Sequence, residues 1–267
     1  VKNKILTSTN NPLIKKVRKL HRSKVRQEQN LLLLEGTNLI QAACQVNYKL
    51  DLVFCTCQWQ ENYPQLWQTL IARTDVQLVS TEVLNSIATT IHPDGVIALA
   101  EIVLPHMPEI ADNRLSLAVE RLQDPGNLGT IIRTAVATNV DALWLSQDSV
   151  AIDNPKVLRA SAGEWFRLPI AVTNNLKSIV QEHQQQGIQV IATIPQATTI
   201  YWSLDFHRPS LLLIGNEGQG LSEELIALAD KRVAIPLCNQ VESLNVAIAT
   251  ALLLYEASRQ NSNLCLP

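Results

Sequence analysis

Three polar, glycine-marked segments hold the side chains best placed to do chemistry. In Asp124-Pro125-Gly126-Asn127-Leu128-Gly129-Thr130-Ile131-Ile132-Arg133, two glycines and a proline mark a tight turn, and Asn127 is placed to cap the helix that follows. Arg133 lies about one and two-thirds turns further on, about 120° round an ideal wheel from Asn127 and so on a different face, and a cap and a surface ion pair explain the two as well as a shared site does. In Gly215-Asn216-Glu217-Gly218-Gln219-Gly220, three glycines in six positions let the backbone approach a ligand closely. This run fits neither a dinucleotide fingerprint nor a P-loop, and Glu217 reads equally as a helix-end charge or a site carboxylate. In the third segment, Ile235 to Ala247, Ser243 and Asn245 stand where a helix begins, as caps or as donors to a ligand or phosphate.

The elements that must position these groups alternate between strand and helix, an α/β pattern. From Pro12, the apolar spacing of Leu13, Ile14, Val17 and Leu20 predicts a basic amphipathic helix. Strands are expected at 31–34, 51–55, 76–79 and 95–103, with helices around 39–43 and 66–71 and one through Ile87 capped by Thr81. Two prolines and no periodicity mark 104–113 as a linker, dividing a first domain (1–103) from a second (114–267). In the second, strands at 115–119, 142–145, 188–193, 211–214 and 232–235 include continuous apolar runs, as in a parallel sheet buried on both faces. Helices are expected at 128–138, 155–161, 176–186, after Ser222 as cap, and at 244–258. The three polar segments then fall at carboxyl ends of strands, where open parallel sheets bind ligands.

The formal net charge of −2 hides an asymmetry. Residues 1–26 carry nine basic side chains (Lys2, Lys4, Lys15, Lys16, Arg18, Lys19, Arg22, Lys24, Arg26) and no acidic one. The remaining 241 residues hold 13 basic and 24 acidic groups, a net of −11, so a polyanion is drawn to one end of the molecule. Five cysteines at 44, 55, 57, 238 and 265 form no disulfide or metal framework and read as free thiols. Neither a membrane-length apolar run nor a secretory leader is visible, so the cytoplasm is the expected compartment.

In this order, the three segments resemble the SpoU-like (TrmH-type) branch of the SPOUT RNA methyltransferases. The resemblance rests on Asn-x-Gly-x-Ile-x-Arg-Thr-Ala at 127–135, Gly-Asn-Glu-Gly-x-Gly at 215–220, and Ile-Pro followed by Glu-Ser-Leu-Asn-Val at 235–246. Asn154 to Gly163 is similar to the family's middle region, and residues 1–103 more loosely resemble the L30e-type substrate-binding domain such enzymes often carry. The resemblance implies a C-terminal parallel-sheet domain with a deep trefoil knot and S-adenosylmethionine as methyl donor, held by main-chain groups of Gly215, Ile235 and Leu244 with Thr193 beside them. It further implies methylation of a ribose 2′-hydroxyl in structured RNA, ribosomal RNA favoured over transfer RNA. Arg133 would face the hydroxyl and its phosphate, with Asn127, Glu217, Ser243 and Asn245 orienting the groups. Lys15, Lys16, Arg18, Lys19 and Arg22 would grip the RNA, and a homodimer would complete each site, its seam including Ala247, Ala249, Leu252 and Leu253. A non-catalytic RNA-binding or ribosome assembly protein is the competing expectation. Two positions depart from the pattern. Asn239 replaces a frequent glycine, but asparagine also tolerates positive φ; Ala247 replaces a serine, removing one hydroxyl.

Overall fold

The computed structural model describes residues 2–261, apart from the side chains of residues 2–4 and 112. Cys265 and the side chains of Lys2 and Lys4 therefore lie outside the described residues. The chain forms two compact units: residues up to 103 together with 151–166, and 104–150 together with the residues from 167 on.

The first unit contains β1 (Lys2–Leu6), α1 (Pro12–Lys19), α2 (Ser23–Gln29), β2 (Leu31–Glu35), α3 (Thr37–Gln45), β3 (Leu52–Cys55), α4 (Cys57–Asn62), α5 (Pro64–Arg73), β4 (Asp75–Val79), α6 (Thr81–Ile87) and β5 (Val96–Glu101). Its sheet runs β1-β4-β3-β5-β2, with β5 antiparallel to both neighbours. Asn11 caps α1 by accepting from the Leu13 N–H at 2.9 Å, and Pro12 takes the first helical position, where a missing N–H costs nothing. Ile14, Val17 and Leu20 then pack with Val83, Leu84 and Ile87 of α6, leaving Lys15, Lys16, Arg18, Lys19 and Arg22 exposed. Three elements escape the periodicity argument: α2 has one apolar residue, Val25; α4 buries one, Trp59; and two of the five residues of β1 are lysines. The cap of α6 is Ser80, one residue before the expected Thr81.

Arg26, counted with the basic end, is a correction to that reading. It is 2% exposed, donating from Nε to Asp153 Oδ2 at 2.7 Å and from a terminal nitrogen to the Leu20 carbonyl at 2.8 Å. Asp153 belongs to the stretch 151–166, which packs within this unit although the sequence pattern groups it with the second domain. Two further contacts fasten it. Buried Glu35 accepts from Arg159 at 2.9 Å and from Thr89 and Thr90, and the Tyr48 ring meets Phe166 with centroids 4.7 Å apart. Of the cysteines, 44, 55, 57 and 238 are free, and burial pushes the Cys55 thiol up to about 12, which keeps it protonated and inert.

The second unit contributes β6 (Leu115–Val119), α7 (Pro125–Ala137) and β7 (Ala142–Ser146); the chain then passes through α8 (Pro155–Ala160) in the first unit. It returns as β8 (Ile170–Thr173), α9 (Leu176–Gln185), β9 (Gln189–Thr193), β10 (Thr199–Ile200), β11 (Ser210–Ile214), α10 (Glu223–Leu228), β12 (Lys231–Ala234) and α11 (Val246–Gln260). The seven strands lie in the order β10-β12-β9-β11-β6-β7-β8, every neighbouring pair parallel. β6, β7 and β11 are buried at every residue and β9 at all but its last, as the continuous runs at 188–193 and 211–214 predict for β9 and β11. β8 and β10 were not anticipated; β10 has two residues, and β8 is half-exposed and short. The chain steps outward from β6 through β7 to β8, then fills the other side, so β6 and β11 flank the switch point where such sheets open a crevice. Among the described residues, no helix is long and apolar enough to cross a membrane.

Replacing Arg26 with methionine is expected to leave the Asp153 carboxylate buried and unpaired, at a cost of about 3–5 kcal/mol. Urea unfolding of the full chain measures this; a loss under about 1 kcal/mol, the scale of an exposed pair, would contradict the burial.

Candidate functional site

β6 and β11 end side by side, Val119 paired with Ile214, and the Glu120 N–H donates to the Ile214 carbonyl at 2.8 Å. The segments that follow, 120–127 and 215–221, therefore leave the sheet together. Gly215 sits where they are tightest: a Cβ there would lie 2.3 Å from the backbone of Gly220 and Leu221, so no other residue fits without moving main chain. Asn216 closes the loop that follows. Its N–H and carbonyl exchange 3.0 Å bonds with Gly220, and its side-chain oxygen accepts from the N–H groups of Gly218 and Gln219 at 2.9 Å. Its amide nitrogen donates to the Arg121 carbonyl at 2.7 Å. The sequence pattern contains Asn216, but its role as the fastening of this loop was missed. Arg121, held at φ 54, was missed likewise.

Glu217 is presented by this loop to the start of α7. Its carboxylate accepts from the Asp124 N–H at 3.0 Å, the Gln123 N–H at 3.2 Å and the Asn127 side-chain amide at 3.1 Å. Burial works to raise its pKa, but the N–H groups of Asp124 and of Glu217 itself, the Asn127 amide and the Gln123 N–H outweigh it and hold the carboxyl below the usual value. Glu217 is thus ionised at neutral pH, an acceptor rather than a proton store.

The cap of α7 is Asp124, accepting from the Asn127 N–H at 2.9 Å, where the sequence had suggested Asn127 itself. This frees the Asn127 side chain. Its nitrogen donates to Glu217 while its oxygen accepts from the Asn245 amide at 3.0 Å. Asn245 in turn caps α11 through its oxygen, accepting from the Ala247 N–H at 2.9 Å. Because a carboxylate can only accept, the orientation of both amides follows from Glu217 onward. Each amide NH₂ group spends one hydrogen in this relay and has a second to offer.

The structure therefore brings Asn127, Glu217 and Asn245 together. Arg133 and Ser243 stand outside their hydrogen bonds. Arg133 is exposed on α7, and among the described residues none pairs with its guanidinium; Ser243 is exposed just before the Asn245 cap. Thr193 ends β9 and donates from its hydroxyl to the Leu213 carbonyl at 2.9 Å, tying the ends of β9 and β11. Ile235 and Leu244 bound a loop in which Asn239 and Gln240 adopt φ of 56° and 58°. Asparagine thus sustains the left-handed turn expected at 239. Among the described residues, one backbone-to-backbone hydrogen bond lies within 236–244, from the Val241 N–H to the Cys238 carbonyl at 3.2 Å. Such a stretch of uncommitted main chain, following directly on β12, fits a ligand gripped by backbone groups. On α11, Ala247 and Leu253 are buried inside the chain, whereas Ile248, Leu252 and Tyr255 are 54%, 37% and 53% exposed.

Residues 114–255, more than half of the chain, match the SpoU rRNA Methylase family. The chain belongs to this family. Residues 11–98 match an MRM3-like substrate binding domain, so the SpoU segment and a substrate-binding segment share one chain. An uncharacterized tRNA/rRNA methyltransferase of Synechocystis sp. is 47% identical over 256 residues, covering 96% of this chain and 93% of that one. The 23S rRNA (guanosine(2553)-2′-O)-methyltransferase RlmP of Bacillus subtilis is 32% identical, with 94% and 98% covered. An AdoMet-bound rRNA methyltransferase from Sinorhizobium meliloti superposes with a TM-score of 0.83 at 31% identity, over 96% of this chain and 97% of that one.

Substituting Glu217 by glutamine puts an NH₂ group or a weaker acceptor against three donors. The depressed carboxyl pKa means that the ionised form's contribution is present at neutral pH and is lost as pH falls through that depressed value. The stability gap between wild type and Glu217→Gln should accordingly be widest near pH 7 and close below the ordinary carboxylate range. Denaturation across a pH series checks this, and a gap independent of pH would exclude the ionic role.

Proposed function

We propose that this SpoU-family chain transfers a methyl group from S-adenosylmethionine to a ribose 2′-hydroxyl of ribosomal RNA. The observation that carries the reading is the Glu217–Asn127–Asn245 relay, which fixes all three family segments at the carboxyl edge of one parallel sheet. When bound, S-adenosylmethionine supplies an electrophilic methyl carbon. Main-chain groups of Gly215, Ile235 and Leu244 hold it, with Thr193 contributing from the end of β9. Threading of the C-terminal segment into a trefoil knot is part of this reading. It is supported by the path from β12, beyond β9, back to α7, on which α11 packs.

The remaining work is to bring the hydroxyl to the methyl carbon and to favour loss of its proton. Arg133 acts there as a fixed cation, paired with the hydroxyl and the adjacent phosphate; a guanidinium is too weak a base to hold the proton itself. Asn127 and Asn245 each have an unspent amide hydrogen for the ribose, Ser243 adds a hydroxyl, and Glu217 keeps the amides facing the right way. Recognition of the 2′-hydroxyl makes the site refuse DNA. Arg133 is exposed on α7 and takes no part in its own chain's relay, and in this reading a second copy supplies it: the active form is a homodimer, with Ile248, Leu252 and Tyr255 of α11 as its apolar seam. Lys15, Lys16, Arg18, Lys19 and Arg22, exposed along and just after α1, hold the RNA backbone. A ribosomal RNA substrate goes with a cytoplasmic location.

Arg133→Ala should abolish methyl transfer, measured with labelled donor and deproteinised ribosomal RNA, while calorimetric titration still shows S-adenosylmethionine binding. Near-normal turnover would remove Arg133 from the mechanism, and a wild-type chain that binds no donor would favour the non-catalytic reading. Neutralising Lys15, Lys16, Arg18 and Lys19 together should weaken RNA binding and flatten the slope of log affinity against log salt by about three units; an unchanged slope would place the RNA elsewhere.

A further inference from the structure

The methyl-transfer chemistry and the basic helix leave a cleft of the first unit unused. It lies between α3 and α5 and encloses about 560 Å³, within the range of small-ligand pockets. Its walls are unusual for a protein surface. Gln41 and Gln45 lie one turn apart on α3, and Gln65, Thr69 and Arg73 follow at successive turns of α5. Residues 36–48 and 62–72 contain no charged side chain at all. Solvated helix faces are ordinarily charged; here outward positions carry amides, which are donor and acceptor at once.

Tyr63, at the end of α4, supplies a flat wall. It is 40% exposed, and its ring stacks on Trp59 with centroids 5.4 Å apart and planes 30° apart. Trp59 is itself fixed: it is 1% exposed, and its indole N–H donates to the Thr37 hydroxyl at 2.8 Å. The tyrosine face is therefore pre-set rather than free to swing. At the far end, Arg73 is steadied by the Cys44 carbonyl at 3.1 Å and the Asn47 side-chain oxygen at 3.2 Å, and no carboxylate lines the cleft.

We propose that this cleft holds an unpaired RNA nucleobase, stacked on Tyr63 and read along its edge by Gln41, Gln45 and Gln65, with Arg73 toward a phosphate. A rigid aromatic face, neutral amides and a lone cation are the elements that single-stranded RNA recognition combines. A paired base has its edge and faces occupied and gains nothing here. The chain then reads its substrate at two places in the first unit: α1 by charge, and the cleft by the presence of an unstacked base. This inference rests on RNA being the substrate.

The test uses the full chain and two fluorescently labelled probes, an eight-nucleotide single-stranded oligoadenylate and a fully paired RNA duplex, with affinities from anisotropy. Tyr63→Ala should weaken single-strand binding by about tenfold, the scale of one lost stacked base, and leave duplex binding unchanged. Tyr63→Phe keeps the ring and should stay within about twofold of wild type; Gln41→Glu, which adds a negative charge to a cleft proposed to hold part of a polyanion and removes an amide donor from the base edge, should weaken the single strand alone. Equal loss on both probes for Tyr63→Ala, or unmoved single-strand affinity as for a cleft that serves another protein, overturns the proposal. Methyl transfer by the wild type is assayed separately, so the cleft can fail while the methyltransferase reading stands, and the reverse.

Discussion

A carboxylate that can only accept hydrogen bonds decides how the site is arranged. Glu217 is reached by two backbone N–H groups and one side-chain amide from the start of α7. That single choice propagates: Asn127 must show its oxygen to Asn245, and Asn245 must show its own oxygen to the first turn of α11. Glu217 and Asn245, 90 and 118 positions from Asn127, are thereby given one geometry with it. The parallel sheet supplies the coarse placement, bringing the ends of β6 and β11 together, and the relay supplies the fine one.

Glycine is needed here for a reason distinct from turn-making. At Gly215 the problem is space, since backbone from Gly220 and Leu221 occupies the place a side chain would take. The loop folds back on itself this closely because Asn216 and Gly220 exchange backbone bonds, and this return presents Glu217 outward to α7. Sterics and hydrogen bonding thus act on the same few residues.

Much of this was legible in the residues themselves. Continuous apolar runs announced β9 and β11, and the tolerance of asparagine for positive φ explained in advance how 239 could turn without glycine. Where the reading slipped, two residues offered the same chemistry side by side. Asp124 and Asn127 are both good caps, and the proline at 125, in the first helical position, is what selects Asp124. Ser80 and Thr81 posed the same choice. Arg26 was misjudged because charge counts cannot see burial, and its partner Asp153 stands 127 positions away. Segments such as α2 and α4, which bury little, give periodicity nothing to detect.

The stretch 151–166 has a bearing on how such a protein could arise. By sequence it falls inside the match to the SpoU family, yet it packs with the unit that matches the substrate-binding domain. The polypeptide therefore passes between the two units three times, at 103/104, 150/151 and 166/167. A simple end-to-end gene fusion joins modules once. Here a module exchanged at 103/104 alone would arrive without the partner for Arg26 and without the rings that meet Tyr48. Any exchange that keeps the first unit's packing must therefore carry residues 151–166 along with residues up to 103, although the two stretches are separated in sequence by part of the second unit.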